Sequence, residues 1–307
     1  MGLRAGGIGV TLADNEYLRS RRVLPSIEGL ENAFFFTLGV EPDMTARPAI
    51  RILALHAHPD DLEFQCAGTL ALLRKAGCHV TMVTMTPGDC GSAEHDAEAI
   101  AEIRRAEARA AAELIGAEPL CLEFRDLAVF NDDESRRRVT ECLRRARPDL
   151  VLAPPPVDYL CDHEMTSLLV RDACFCAPIP NFVTRQWDPA PPLTRIPHLY
   201  YMDAIEGRDR DGQVLPAGFH VDVSSAFEVK RAMLACHASQ RNWLLKQHGI
   251  DEYLDSQLHW STRRGGEIGV AHGEAFRQYL GHAYPHDNLL LALLGQDGRG
   301  GAGKAVV

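Results

Sequence analysis

The sequence predicts an α/β fold, a parallel sheet flanked by helices with a C-terminal extension of strands and helices. Three observations carry this. Ile52 to Leu55 form a continuous apolar run, as a strand buried on both faces does. From residue 50 to residue 153, apolar strand-like runs alternate with longer stretches of helical periodicity, the rhythm of parallel strands joined by right-handed crossovers. Finally, His58, Pro59, Asp60 and Asp61 directly follow the first run, at the carboxyl end of a strand, where open α/β sheets place their chemistry.

The elements follow in order. A strand over 50–56 leads to a helix near 64–76, and His79 to Met85 form the second strand. The loop Thr86 to Ser92 (TPGDCGS) precedes a long helix near 95–115, with Gly116 at the position a C-cap requires. A strand over 119–124, a helix over 134–146 and, after Pro148, the strand Leu150 to Ala153 complete the regular part. Beyond it lie a rigid Pro154–Pro156 loop and a Pro-rich connection over 178–197. Strands at His198 to Asp203 and Phe219 to Val223 extend the sheet with antiparallel edges, and helices are expected over 224–247, 251–262 and 266–281. Residues 1–47 read as an N-terminal appendage, 48–285 as the main domain, and 286–307 as a tail whose Gly-rich end is disordered.

Composition narrows the function. The 307 residues are 46% hydrophobic and 24% charged, enough for a core and ordinary for a soluble protein. A formal net charge of −10 argues against a nucleic-acid partner, which needs a basic face. The clusters Arg136–Arg138 and Arg144, Arg145 and Arg147 have acidic residues at helical spacing and read as solvated helix faces. No run approaches the ~20 apolar residues of a membrane span, and no apolar h-region opens the chain. The nine cysteines include no C-x-x-C pair, which suits reduced thiols in a cytoplasmic protein. Cys174 and Cys176, two apart on a helix, point to different sides.

The site expectation starts at the first strand. If residues 59–63 open a helix, His58 and Asp61 lie one turn apart and can share a metal ion. A hydrolytic zinc site needs three protein ligands and an open position, and His163 is the candidate for the third, because it too follows a strand's carboxyl end. Asp162 beside it is a candidate to orient an imidazole. Asp60 has two readings, a general base that takes a proton from metal-bound water, or a helix N-cap.

AHPDDLE (Ala57 to Glu63) with CAGTLALL (Cys66 to Leu73) resembles the signature of the PIG-L/LmbE-like N-acetylglucosaminyl deacetylases. Thr86 to Gly91, Arg104 with Glu107, Arg125–Asp126, Asp162–His163, Lys230, His237 to Gln240 and Glu274 to Phe276 are similar to later family features, in the same order. The resemblance implies a Rossmann-like fold over roughly 48–285 and a zinc-dependent N-deacetylase acting on a small, sugar-containing N-acyl substrate. It implies zinc on His58, Asp61 and His163, water activation by Asp60, and substrate contacts from Arg104 and Asp126. For Arg104, an i,i+3 pair with Glu107 on an exposed helix face is the alternative.

One stretch departs from the family. Sugar-thiol deacetylases carry H-P-D-H at the late pair, whereas this chain has Leu160-Cys161-Asp162-His163. Leu160 has no side-chain donor to replace the first imidazole, and His220, His272, His286 and Tyr159 are the candidates to supply one. Amide cleavage of a larger thiol or sugar conjugate, or metal binding without turnover, are the competing functions. Residues 1–47 and 178–197 are the candidate sources of homo-oligomer contacts or of a lid over the cleft.

Overall fold

The computed structural model describes residues 49–248 and 253–296. The expected appendage at 1–47 and the Gly-rich end therefore lie outside the described residues. Strand β1 (Arg51–His56) is followed by helix α1 (Asp61–Gln65), helix α2 (Ala67–Lys75) and strand β2 (His79–Thr84). Next come α3 (Ala97–Glu113), β3 (Glu118–Cys121), α4 (Asp133–Ala146), β4 (Leu150–Ala153) and α5 (Cys161–Cys176). The extension contributes β5 (His198–Met202), β6 (Phe219–Asp222), α6 (Phe227–Ala235), α7 (Ala238–His248), α8 (Tyr253–Gly266), β7 (Gly273–Gln278) and α9 (Leu289–Leu294). Five parallel strands and an antiparallel edge make one sheet in the order β3-β2-β1-β4-β5-β7-β6.

The continuous apolar runs are explained by two hydrophobic layers. Along β1, Ile52 and Ala54 enter the layer with Leu70, Leu73 and Ala111, from helices α2 and α3. Leu53 and Leu55 point the other way, into a layer with Val139 and Leu143 of α4 and Leu169 and Val170 of α5. Side chains alternate along a strand, so a strand covered on both faces has no polar phase. Gly116 turns the chain after α3 at φ +65°, the left-handed conformation expected of it. Arg137 and Arg145 of α4 pair with Asp133 and Glu141 one turn away, at 2.9 and 2.8 Å.

Two expectations fail in the extension. The helix read over 266–281 is a turn followed by strand β7: Gly266 and Gly269 stop α8, and Gly273–Gln278 pair with β5 and β6. The helix formers Glu274 and Ala275 are held by pairing with β6 and Arg277 and Gln278 by pairing with β5, so tertiary pairing overrides local propensity. The helix expected over 224–247 is two helices, α6 and α7, broken at Cys236 and His237. In the stretch read as a tail, α9 is capped by Asn288, whose side chain accepts from Leu291 N at 3.2 Å, and it buries Leu290 and Leu291 against the core.

The extension is fastened to the first motif by the carboxylate of a buried ion pair. Lys230 Nζ donates to Glu274 Oε1 at 2.6 Å, and the same carboxylate accepts Gly68 N and Thr69 N at 2.9 and 2.8 Å. Glu274 thus satisfies orphan amides of the first turn of α2, where a negative charge is favoured. Gly68 is required here, since a Cβ on it would lie 2.8 Å from Val223 Cβ and 3.0 Å from Glu274 Oε1.

Candidate active site

β1 and β4 are adjacent, while their chains continue to opposite sides of the sheet, so a crevice opens beyond their carboxyl ends. The segment after β1 supplies His58, Asp60 and Asp61, and the segment after β4 supplies Asp158 and His163. His58 Nδ1, Asp61 Oδ2 and His163 Nε2 converge. His58 Nδ1 is 3.3 Å from His163 Nε2, and Asp61 Oδ2 is 3.4 Å from each nitrogen. Ligands about 2.0–2.1 Å from a tetrahedral ion are separated by about 1.63 times that length, roughly 3.3–3.4 Å. The spacing of these three atoms is that of three corners of a zinc tetrahedron.

The opposite atom of each imidazole is held by a carboxylate. His163 Nδ1 lies 3.0 Å from Asp158 Oδ1, and His58 Nε2 lies 3.2 Å from Asp162 Oδ2. Protons on those two nitrogens leave Nδ1 of His58 and Nε2 of His163 bare toward the common point, the arrangement of a metal-ligating histidine. Asp162 therefore orients His58, across the crevice, rather than its neighbour His163. It also accepts Leu127 N at 2.7 Å, which ties the loop after β3 to the centre.

Electrostatics favours a cation at this point. Burial alone would push the Asp61 carboxyl up, but His163 and His56 beside it hold it well below the usual carboxylate range. Burial would lower His58, yet its bonds to Asp162 and Asp61 raise it to about 9. His163 is likewise raised, to about 10, by Asp61 and Asp158 against the effect of burial. Two imidazoles, each held at its far nitrogen, and a carboxylate fit a borderline divalent ion such as zinc.

A third imidazole, His56, belongs to the same cluster and was missed in the apolar reading of β1. Its Nδ1 lies 2.6 Å from Asp61 Oδ2, too close for both to bind one ion, so it fits a role in orienting Asp61. Burial lowers its pKa, and Nε2 has no hydrogen-bond partner among the described residues. The sequence signal was the H-x-H spacing of His56 and His58. Asp158 was also missed; it stands five residues before His163 in a loop, at a spacing that matches no helix face.

Asp60 occupies the N-cap position of α1 but makes no side-chain cap bond. Its backbone is left-handed, φ +100°, a strained conformation for a residue with a Cβ. The side chain faces the cleft instead. Burial raises its pKa, Arg104 opposes the shift, and Asp61 adds to it.

Arg104, in the middle of α3, is buried rather than on an exposed helix face. It donates to Pro59 O at 3.1 Å and Gly88 O at 3.4 Å, and its NH2 group is 3.9 Å from Asp60 Oδ2. The expected pair with Glu107 is replaced: Glu107 accepts Ser239 N and Oγ at 2.8 and 2.6 Å, which docks the start of α7 on α3. Gly88, at φ +80°, is where a Cβ would lie 2.5 Å from the guanidinium, which accounts for the glycine in the TPGDCG loop. Asp126 lines the cleft while accepting from Thr86 Oγ1 and from Cys90 N at 2.9 Å.

The cleft over these residues measures about 1130 Å³. One wall is the inner cluster. The other is a face of α7 with Gln240, Trp243 and Leu244, and a face of α8 with Tyr253, Ser256, Trp260 and Arg263. Leu160 lines the cleft as well. Of the four candidates to replace its missing donor, only Tyr159 lies in the cleft, its ring 5.4 Å from that of His163. His220 is bound to Glu267 at 2.7 Å, and His272 stacks on Phe227.

The family described as "PIG-L: GlcNAc-PI de-N-acetylase" matches residues 53–174, which contain every residue of the inner cluster. The diacetylchitobiose deacetylase of Thermococcus kodakarensis is 26% identical over 204 residues, covering 62% of this chain and 70% of that protein. The 4-oxalmesaconate hydratase of Pseudomonas putida is 25% identical over 203 residues, covering 64% and 76%. Among solved structures, the N,N'-diacetylchitobiose deacetylase of Pyrococcus horikoshii superposes with a TM-score of 0.62 at 26% identity, covering 75% of this chain and 84% of that one.

Proposed function

The chain belongs to the PIG-L/LmbE-like deacetylase family, and on that premise we propose that it is an N-deacetylase that removes the acyl group, acetyl foremost, from an amino sugar or a related small amide. The observation that carries the reading is the triangle of His58 Nδ1, Asp61 Oδ2 and His163 Nε2, 3.3 to 3.4 Å on each side, with the carboxylate of Asp60 beside it. These three atoms would hold Zn²⁺, which when bound polarises a substrate carbonyl and lowers the pKa of water.

The chain's own residues supply the remainder. Asp158 and Asp162 fix the two imidazoles, and His56 fixes Asp61. Asp60 takes a proton from the attacking water as the carbon–oxygen bond forms, then gives it to the nitrogen as the carbon–nitrogen bond breaks, releasing a carboxylate and a free amine. Its raised pKa suits a group that must both accept and return a proton. Asp126 is assigned to the substrate side of the cleft through lone pairs not used by Thr86 and Cys90. Arg104 lends its charge there, held in place by Nη1 and Nη2, which donate to Gly88 O and Pro59 O. The deacetylase domain is assigned to residues 48–285.

The hydratase relative supports a second reading, addition of water to an unsaturated acid at the same centre. Acetate release from N-acetylglucosaminides by the zinc-loaded protein tests the first reading, with absorbance loss from a conjugated dicarboxylic acid as the counter-assay. Zinc-dependent acetate release is expected; hydration without acetate release would replace the first reading by the second.

A further inference from the structure

Among the described residues Asp60 is hydrogen-bonded at one carboxylate oxygen, and that bond comes from the far end of the domain. Tyr253, the first residue of α8, donates its hydroxyl to Asp60 Oδ2 at 2.6 Å, across 193 residues of sequence. The same oxygen is the one nearest the Arg104 guanidinium, at 3.9 Å. Asp60 has no cap bond within its own helix, so nothing local holds its carboxylate. We propose that Tyr253 is a positioning residue for the reaction, locking Asp60 by Oδ2 so that Oδ1 is the atom that carries the proton. The inference rests on the reading of Asp60 as the proton carrier.

Several features support it. A short phenol–carboxylate bond is directional and charge-assisted, so it selects one rotamer of a two-bond side chain whose backbone is already strained. Burial and the adjacent Asp60 charge push the Tyr253 phenol well above its usual range, which keeps its proton available for donation. Tyr253 also belongs to the α8 face that lines the outer cleft with Ser256, Trp260 and Arg263. The extension thus contributes to the chemical centre as well as to the wall.

The test is Tyr253→Phe, which removes only the hydroxyl, assayed for kcat, KM, zinc content and melting temperature beside the wild type and Asp60→Asn. We expect kcat to fall by about 10- to 100-fold, the usual cost of losing a group that orients a catalytic residue, with KM within about threefold and zinc content unchanged. A kcat within about twofold of wild type overturns the proposal. So does a raised KM with kcat kept, which marks a substrate contact, or loss of zinc or melting temperature, which marks a structural role. If the wild type releases no acetate, the deacetylase reading fails on its own. Tyr253 is then judged by a crystal structure of Tyr253→Phe: Asp60 is expected to leave its present rotamer, and an unmoved carboxylate refutes the role.

Discussion

The two walls of the cleft are built differently. The inner wall comes from two short segments after β1 and β4, in which ligands, orienting carboxylates and proposed base lie within six residues of one another. The outer wall comes from α7 and α8, some 200 residues from the first motif, and is made mostly of Trp243, Leu244, Trp260 and Arg263, with Tyr253 the one residue of it that reaches across to Asp60. Chemistry at one atom demands residue types at fixed spacing, so it leaves a pattern in sequence. Enclosing a substrate demands only shape and surface, which many side chains supply. On the proposed function, reaction type is assigned to the inner wall and substrate choice chiefly to the outer one.

Substitutions on the two sides should separate in kind as well as size. The largest effect is expected from Asp60→Asn, which keeps the shape and removes the base. Turnover should fall by about 10²- to 10⁴-fold while zinc binding is retained, as acetate release and metal analysis would show. Smaller is Asp158→Asn, which weakens the hold on His163 Nδ1. Zinc affinity should drop by about 10- to 100-fold, measured by competition with a chelator, and activity should return with added zinc. Smallest is Trp243→Ala on the outer wall. KM should rise by about 3- to 30-fold with kcat nearly unchanged, as expected when binding common to ground and transition states is removed. A fall in kcat with KM unchanged for Trp243→Ala would break the division between the walls.

The same division explains what the sequence made legible. The βα rhythm, the first four strands along the chain and the placing of His58, Asp60, Asp61 and His163 after strand ends could be read because each is a local pattern. Strand β7 could not, because Glu274, Ala275, Arg277 and Gln278 prefer helix in isolation and are strand only between β5 and β6. Arg104 was offered an exposed face because i,i+3 spacing to Glu107 is visible in sequence, whereas the loop glycines that cover its guanidinium act only in three dimensions. Tyr253 lies beyond any pattern, since nothing links position 253 to position 60 except the fold. His56 was legible and passed over: a histidine ending an otherwise apolar strand, two residues from another, was the signal.

The comparison depends on where the ion sits, and anomalous diffraction at the zinc edge from crystals grown with Zn²⁺ locates it directly. One peak is expected within bonding distance of His58 Nδ1, Asp61 Oδ2 and His163 Nε2, with His56 outside its coordination sphere. A peak bonded to His56 instead of His58, or lying at the nearby cluster of Asp89, Cys90 and Asp126, would contradict the account.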